Sequence, residues 1–204
     1  MEISTRIPHF KIKPATEADV PLVLSFIKEL AAYEKLPHQV VATEEMLCET
    51  LFGARRVAEV IVGYLDGEPA SFALFFHNFS TFLGRPGIHL EDLYVRPEMR
   101  GRGIGRAMLA YLAHLAKERQ CGRLEWWVLD WNEPAIRFYR SIDAVPMEEW
   151  TVHRLTGEAL DRLASEFCPR GKEEGIGAPK CPNFTSVPYI QHIFTEDSFL
   201  PVWY

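Results

Sequence analysis

Several arrangements that announce common functions are missing from this chain. Its four cysteines, Cys48, Cys121, Cys168 and Cys181, form no Cys-x-x-Cys pair, which argues against a disulfide scaffold or a zinc ribbon and suits free thiols. The seven histidines are dispersed, with no HxxxH or HExxH pattern, so no metal is expected. No apolar run approaches the ~20 residues that a bilayer-crossing helix needs. Residues 1–10 lack the apolar stretch and small cleavage-site residues of a secretory leader. A cytoplasmic protein without membrane contact is the expectation. Basic residues are outnumbered, 22 against 28 acidic ones, for a formal net charge of -6. A chain of that sign is a poor partner for nucleic acid, whose phosphates are held by Lys and Arg. An acidic cleft in it attracts small cations instead. Internal repeats are also lacking.

What is present is ordinary globular material: 204 residues, 48% hydrophobic and 25% charged, enough for one well-buried domain with a terminal appendage. Phe10, Ile12 and Pro14 alternate with Lys11 and Lys13, the period of a half-buried strand. Thr16 and Asp19 then make a capping-box-like helix start. Val20, Val23, Leu24, Ile27, Leu30 and Ala31 follow at three- and four-residue steps, and Pro37 closes the region. A second helix is expected to follow Thr43 and run to Phe52, with Gly53 as its stop. Residues 57–65 and 70–76 are dense in β-branched and aromatic side chains and are split by an Asp66-Gly67 step, a good hairpin signal. A turn at 84–87 and a strand at 88–95 ended by Pro97 come next.

Residues 103–118 carry the clearest helical stripe, with Ile104, Ala107, Met108, Tyr111, Leu112, Leu115 and Ala116 on one face and Gly122 as the expected end. Residues 124–129 read as a buried strand. Asn132, Glu133 and Pro134 cap a short helix through Tyr139, residues 152–155 read as a last strand, and Leu160 and Leu163 belong to a terminal helical segment. Strands and helices interleaved in this order make a mixed α/β fold. From Phe167 onward the pattern is lost: five of the fourteen prolines and the run GKEEGIG fall there. Residues 1–166 are therefore read as the domain and 167–204 as an irregular extension, either draped on it or disordered.

Chemistry concentrates in residues 88–106, IHLEDLYVRPEMRGRGIGR. A strand enters a glycine-rich turn that opens an amphipathic helix, and such a junction presents unused N–H groups and the positive end of the helix dipole to phosphate. Gly101, Gly103 and Gly105 leave the approach open, while Arg100, Arg102 and Arg106 add positive charge. A Walker loop needs GxxxxGK[ST], which is not here. The dinucleotide fingerprint needs GxGxxG, and here the third glycine comes one residue early. The spacing that stands is Arg100-x-x-Gly103-x-Gly105.

That spacing resembles the acetyl-CoA pyrophosphate loop of the GNAT acetyltransferases, [RQ]xxGx[GA]. Within that family the chain is similar to the diamine and polyamine (spermidine/spermine) acetyltransferases and to the thialysine acetyltransferase. The matching stretches are IKPATEADV, IKELAAYEKL, LEDLYV, RGRGIGR and WNEPAIRFYRS, in family order over roughly residues 10–165. The resemblance implies a GNAT fold, a central mixed, mostly antiparallel twisted sheet flanked by helices. It further implies acetyl-CoA as co-substrate, a homodimer, and direct attack of a primary amine on the thioester in a ternary complex.

Carried over residue by residue, the resemblance makes Glu91 the base and part of the amine site. Strand alternation places Asp92 on the opposite face. Tyr139 becomes the general acid for the departing thiolate, although a tyrosine on a short helix beside Phe138 otherwise reads as core packing. Leu93, Tyr94 and Val95 contribute backbone to the pantetheine arm. Arg100, Gly101, Arg102, Gly103, Ile104, Gly105 and Arg106 hold the pyrophosphate, and Asn132, Glu133, Pro134 and Ala135 also contact the co-substrate. Tyr33, Glu34, Glu125, Trp126 and Trp127 line the amine site, with one of the two tryptophans expected in the core.

One departure stands out: Asp143 occupies the place of the family's glycine after the tyrosine helix, where a left-handed residue is needed. The acceptor implied is a primary amine of a small cationic metabolite, a diamine, polyamine or thialysine-like molecule; an amino acid, an aminoglycoside or a protein amine is the alternative. A non-catalytic acetyl-CoA-binding module is the rival reading.

Overall fold

The computed structural model describes residues 2–167, so the extension expected beyond residue 167 lies outside the described residues. Two compact units divide the described chain, one up to Asp130 and one from Trp131 onward.

The first unit is built on six strands in the order β1 (Ile3–Ser4), β2 (Phe10–Pro14), β3 (Glu59–Leu65), β4 (Glu68–Ser80), β5 (Arg85–Val95) and β6 (Leu124–Trp126). β1 to β5 run antiparallel in sequence order, and β6 lies parallel to β5. The β3–β4 turn is the expected one: Asp66 (φ 54°) and Gly67 (φ 88°) are both left-handed, as a two-residue hairpin of matching twist requires. The next hairpin is tighter than its glycines suggest. The expected turn at 84–87 is mostly strand, with Arg85, Pro86 and Gly87 paired to Ser80, Phe79 and Asn78. Gly63 serves a close approach, since a Cβ there would lie 2.5 Å from the Phe10 ring.

Helices α1 (Val20–Tyr33) and α2 (Glu44–Phe52) bury their apolar stripes on one face of the sheet. Val23, Phe26, Leu47 and Leu51 meet Val60, Val62, Phe72 and Tyr94 there. Phe26 stacks on Phe72 at 5.2 Å and takes the edge of Tyr94. The starts are capped as read: the Asp19 carboxylate accepts from the Thr16 N–H and hydroxyl, both at 2.8 Å, and Thr43 accepts from the Met46 N–H. Arg96 ties α1 to the end of β5 by a double contact to Glu29 at 3.0 and 3.2 Å. Helix α3 (Ile104–Glu118) buries Ile104, Met108 and Leu112. Its stop is Gln120 in the left-handed region (φ 56°), not Gly122, which instead packs against Leu83.

The strand expected at 124–129 is only Leu124–Trp126 and is half-buried. In the second unit, helices α4 (Glu133–Arg140) and α5 (Gly157–Ser165) stand where expected. Residues 152–155 form no strand; they are exposed and irregular. A short apolar alternation has no ladder of its own, and nothing described pairs with it.

Candidate active site

The site begins with one extra residue. Leu74 of β4 faces Asp92 of β5 and Phe75 faces Leu90, so Glu91 has no counterpart across the pair. Such a bulge resets the alternation of side chains along its strand. Leu90 and Leu93, opposite Phe75 and Ala73, lie on one face. His89, Glu91, Asp92 and Tyr94 all lie on the face covered by α1. Two contacts agree with this: His89 Nε2 is 3.7 Å from Glu91 Oε2, and Tyr94 packs in the α1–α2 core. The expectation that Asp92 points away from Glu91 is therefore corrected. Strict alternation separates neighbours, and a bulge sets them side by side.

Glu34, the residue that closes α1, adds a third carboxylate to this group. Burial pushes its carboxyl above the usual range. Asp92 is pushed up to about 7, mainly by burial and further by the charges of Glu91 and Glu34. Among the described residues no hydrogen bond or ion pair engages the side chain of Asp92 or Glu34. Such a cluster is costly for folding unless a cation joins it.

The folded state holds the Asp92 proton more tightly than the unfolded chain, whose value is near 3.8. Stability contributed by the protonated form is therefore lost as pH rises from about 4 through about 7, and the loss is complete above that. Asp92→Asn should stabilise the protein at pH 8 by on the order of 2–4 kcal/mol, since each tenfold difference in proton affinity between folded and unfolded chains is worth about 1.36 kcal/mol. Near pH 4 the same substitution should change almost nothing. Urea unfolding at the two pH values measures this, and equal effects at both would remove the desolvated carboxylate.

The turn after β5 places Gly101 at φ 75° and Gly103 at φ 80°, conformations that side-chain-bearing residues adopt at a cost. Gly103 is the N-cap of α3 and has no side chain to cap it. The first-turn N–H groups of Ile104, Gly105 and Arg106 are thus directed out of the helix start, where they and the dipole favour an anion. Arg102 and Arg106 are exposed beside them. Arg100 is engaged by the protein itself. Its Nε donates to the Val95 carbonyl at 2.9 Å, and its guanidinium lies 4.6 Å over Tyr33 and 5.6 Å from the centre of Tyr94. It braces the turn against the end of α1.

β6 pairs with β5 only at Ile88, His89 and Leu90. From Glu91 to Val95 no strand among the described residues pairs on the β6 side of β5, so backbone groups of Leu93, Tyr94 and Val95 lie along an edge open among those residues. The Tyr94 ring itself is core.

Of the remaining residues assigned to the amine site, Glu125 is already engaged. Opposite His89 in the register, it accepts a short hydrogen bond from Asn78 Nδ2 and forms an ion pair with Arg123 Nε at 3.2 Å. Trp126 faces Leu90 across the strands and so takes the opposite face. Trp127 is 58% exposed and sets its ring edge-on to His89 at 5.1 Å. His89 itself is 5% exposed, with carboxylates at both ring nitrogens. The sequence pattern does not single it out; its one signal is a position two residues before Glu91 on the same strand.

The second unit holds the other assigned residues. Asn132 Oδ1 accepts from the Ala135 N–H at 3.4 Å, with Pro134 in the first turn, and Glu133 lies 3.9 Å from Arg137. Tyr139 is in the last turn of α4, its ring 5.5 Å from that of Phe138. Asp143 adopts the left-handed conformation (φ 61°) that glycine would supply. The Ala144 N–H bonds to the Tyr139 carbonyl and the Asp143 N–H to that of Arg140, both at 3.1 Å, a Schellman-type close. Among the described residues no group of three or more His, Cys, Asp or Glu is placed to hold a metal ion. None of the described helices is long and apolar enough to cross a membrane.

A sequence profile of the acetyltransferase (GNAT) family matches residues 26–143. A thialysine N-epsilon-acetyltransferase of Caenorhabditis elegans is 36% identical over 161 residues, covering 78% of this chain and 99% of that protein. An L-ornithine N5-acetyltransferase of Arabidopsis thaliana is 32% identical over 198 residues, covering 75% and 87%. Among solved structures, an integron cassette protein from the mobile metagenome of V. cholerae superimposes with a TM-score of 0.65 at 27% identity, covering 76% of this chain and 98% of that one.

Proposed function

Because the chain belongs to the acetyltransferase (GNAT) family and is an N-acetyltransferase, we propose that it acetylates a primary amine of a small molecule bearing two cationic groups, with acetyl-CoA as donor. The diamine, polyamine and thialysine classes are the acceptors meant. The observation that carries this reading is the bulge at Glu91, which sets Glu91 and Asp92 on one face, where the charge of Glu34 at the end of α1 also acts on Asp92. Three carboxylates, with no Lys or Arg paired to them among the described residues, suit a dication better than a single ammonium. The relatives named for thialysine and for L-ornithine support the same class.

The residues present fit the donor. The side-chain-free start of α3 and the left-handed glycines before it suit a pyrophosphate, with Arg102 and Arg106 beside them. The open edge of β5 at Leu93, Tyr94 and Val95 suits an amide-bearing arm, and Asn132 to Ala135 are assigned to the same ligand by the family resemblance. Bound there, acetyl-CoA supplies the acetyl group as an activated thioester.

An alkyl ammonium with a pKa near ~10.4 is almost wholly protonated at neutral pH and cannot attack. Glu91, with its side chain 49% exposed, takes that proton directly or through water. Asp92 and Glu34 hold the second cation, and its arrival draws Asp92 into the charged form. Tyr139 holds the proton needed by the departing thiolate; a phenol near ~10 can donate to a thiolate near ~8.5. A covalent enzyme intermediate finds no support at the described cysteines. A hydrogen bond to Glu17 pushes the Cys48 thiol up, and burial does the same to Cys121, so both are poor nucleophiles.

Thiol release from acetyl-CoA, measured against spermidine, short diamines, thialysine, ornithine, lysine and aminoglycosides, tests the reading. Selective turnover of small dications is the expected result. Equal turnover of a monoamine of matched length, or acetyl-CoA binding with no amine acetylated, would overturn it.

A further inference from the structure

We propose that His89 is a positioning residue for this reaction, a buried imidazole that orients the Glu91 carboxylate toward the incoming ammonium. The proposal rests on the reading of Glu91 as proton acceptor.

The ring is fixed on two sides by aromatic contacts, to Phe76 at 5.0 Å and to the edge of Trp127 at 5.1 Å. Held so, it cannot turn away without unpacking both. Nε2 faces Glu91 Oε2 at 3.7 Å and Nδ1 faces Glu125 Oε1 at 4.0 Å. Both contacts are longer than a hydrogen bond, but catalytic contacts commonly tighten when substrate binds.

The two carboxylates are not equivalent. Glu125 is compensated by Arg123 and by the Asn78 amide. On the other side, Glu91 stands with Asp92 and Glu34, which have no basic partner among the described residues. From β4 the uncharged Leu74, Phe76 and Asn78 face this region, and from the segment after β6 Trp127 does. The stronger uncompensated negative charge is therefore on the Glu91 side, and an N–H at Nε2 points toward it. Glu125 Oε1 lies behind the ring, 4.0 Å from Nδ1, and bounds its movement on that side. With one oxygen of Glu91 held by Nε2–H, the other is presented to the substrate.

The test is a double-mutant cycle on the full chain, with acetyl-CoA and thialysine or spermidine as substrates. His89→Phe keeps the ring between Phe76 and Trp127 and removes both nitrogens. It should lower kcat by roughly 10²-fold, the cost of a misplaced reacting group, with KM for acetyl-CoA unchanged. His89→Gln, which keeps an N–H near the place of Nε2, should recover most of that loss. In a Glu91→Gln background, His89→Phe should cost less than about 2-fold, because the group it orients is gone.

A full loss from His89→Phe in that background would mean that the ring nitrogens act independently of Glu91, and the positioning role falls while the Glu91 reading stands. If Glu91→Gln by itself leaves kcat unchanged, both fall. Should His89→Phe not fold, the cycle is run with His89→Asn, which has no donor at the Nε2 position, and the same additivity criterion decides.

Discussion

Tyr139→Phe is expected to lower turnover by roughly 10²–10⁴-fold, the range for loss of a positioned proton donor. The substitution is nearly silent in structure. The ring keeps its place against Phe138, and the Tyr139 carbonyl keeps its bonds from the Ile142 and Ala144 N–H groups, both at 3.1 Å. Only the hydroxyl is lost. Acetyl-CoA affinity, measured by calorimetry, should therefore be unchanged while kcat falls. The defect should also depend on the leaving group. An acetyl thioester of a thiol with a lower pKa needs less help to depart, so it should restore part of the lost rate in the variant and change the parent little. Unchanged turnover in Tyr139→Phe, or a loss independent of the leaving thiol, would remove the residue from the proton-donor role.

Glu91→Gln should reduce kcat/KM by a comparable 10²–10⁴-fold, roughly, near pH 7 and by progressively less toward pH 10. The reason lies in the substrate. Near neutrality almost every amine carries a proton that must be removed, whereas close to its own pKa of ~10.4 a large share is already free to attack. A variant without the base is rescued by that free share. With its side chain 49% exposed, Glu91 can be replaced by glutamine with little effect on stability. This contrasts with the half-buried Asp92, where the amide is expected to stabilise the fold above pH 7. The pair thus separates by measurement: one position governs rate with little effect on unfolding, the other shifts unfolding with pH. Full Glu91→Gln activity across the pH range would exclude it as the base.

Much of the framework is legible from residue order because its causes are short-ranged. Helical periodicity places α1, α2 and α3, and the caps at Thr43 and Asn132 sit where hydroxyl and amide side chains can reach amides three residues on. The Asp66-Gly67 turn follows from backbone freedom. Asp143 is a poorer left-handed residue than glycine, yet it adopts that conformation, because the two carbonyls it helps to satisfy outweigh a modest local cost. The misread strands have a common origin. The strand at 124–129 is cut to Leu124–Trp126, and no strand forms at 152–155. A strand exists only where a neighbour completes its hydrogen bonds, and a local run of apolar residues cannot say whether one does.

Residue order alone determined the mixed α/β class, the glycine-rich helix start after β5, the acidic strand before it and the family to which these belong. Only the tertiary structure decided that Glu91 and Asp92 share a face, that His89 and Glu125 stand behind them, and that Arg100 turns onto Tyr33 and Tyr94. The physical reason is the bulge. An extra residue in one strand has no signature in its own neighbours; it arises where the register of β4 against β5 shifts, and that register is set by the packing of both faces of the sheet at once.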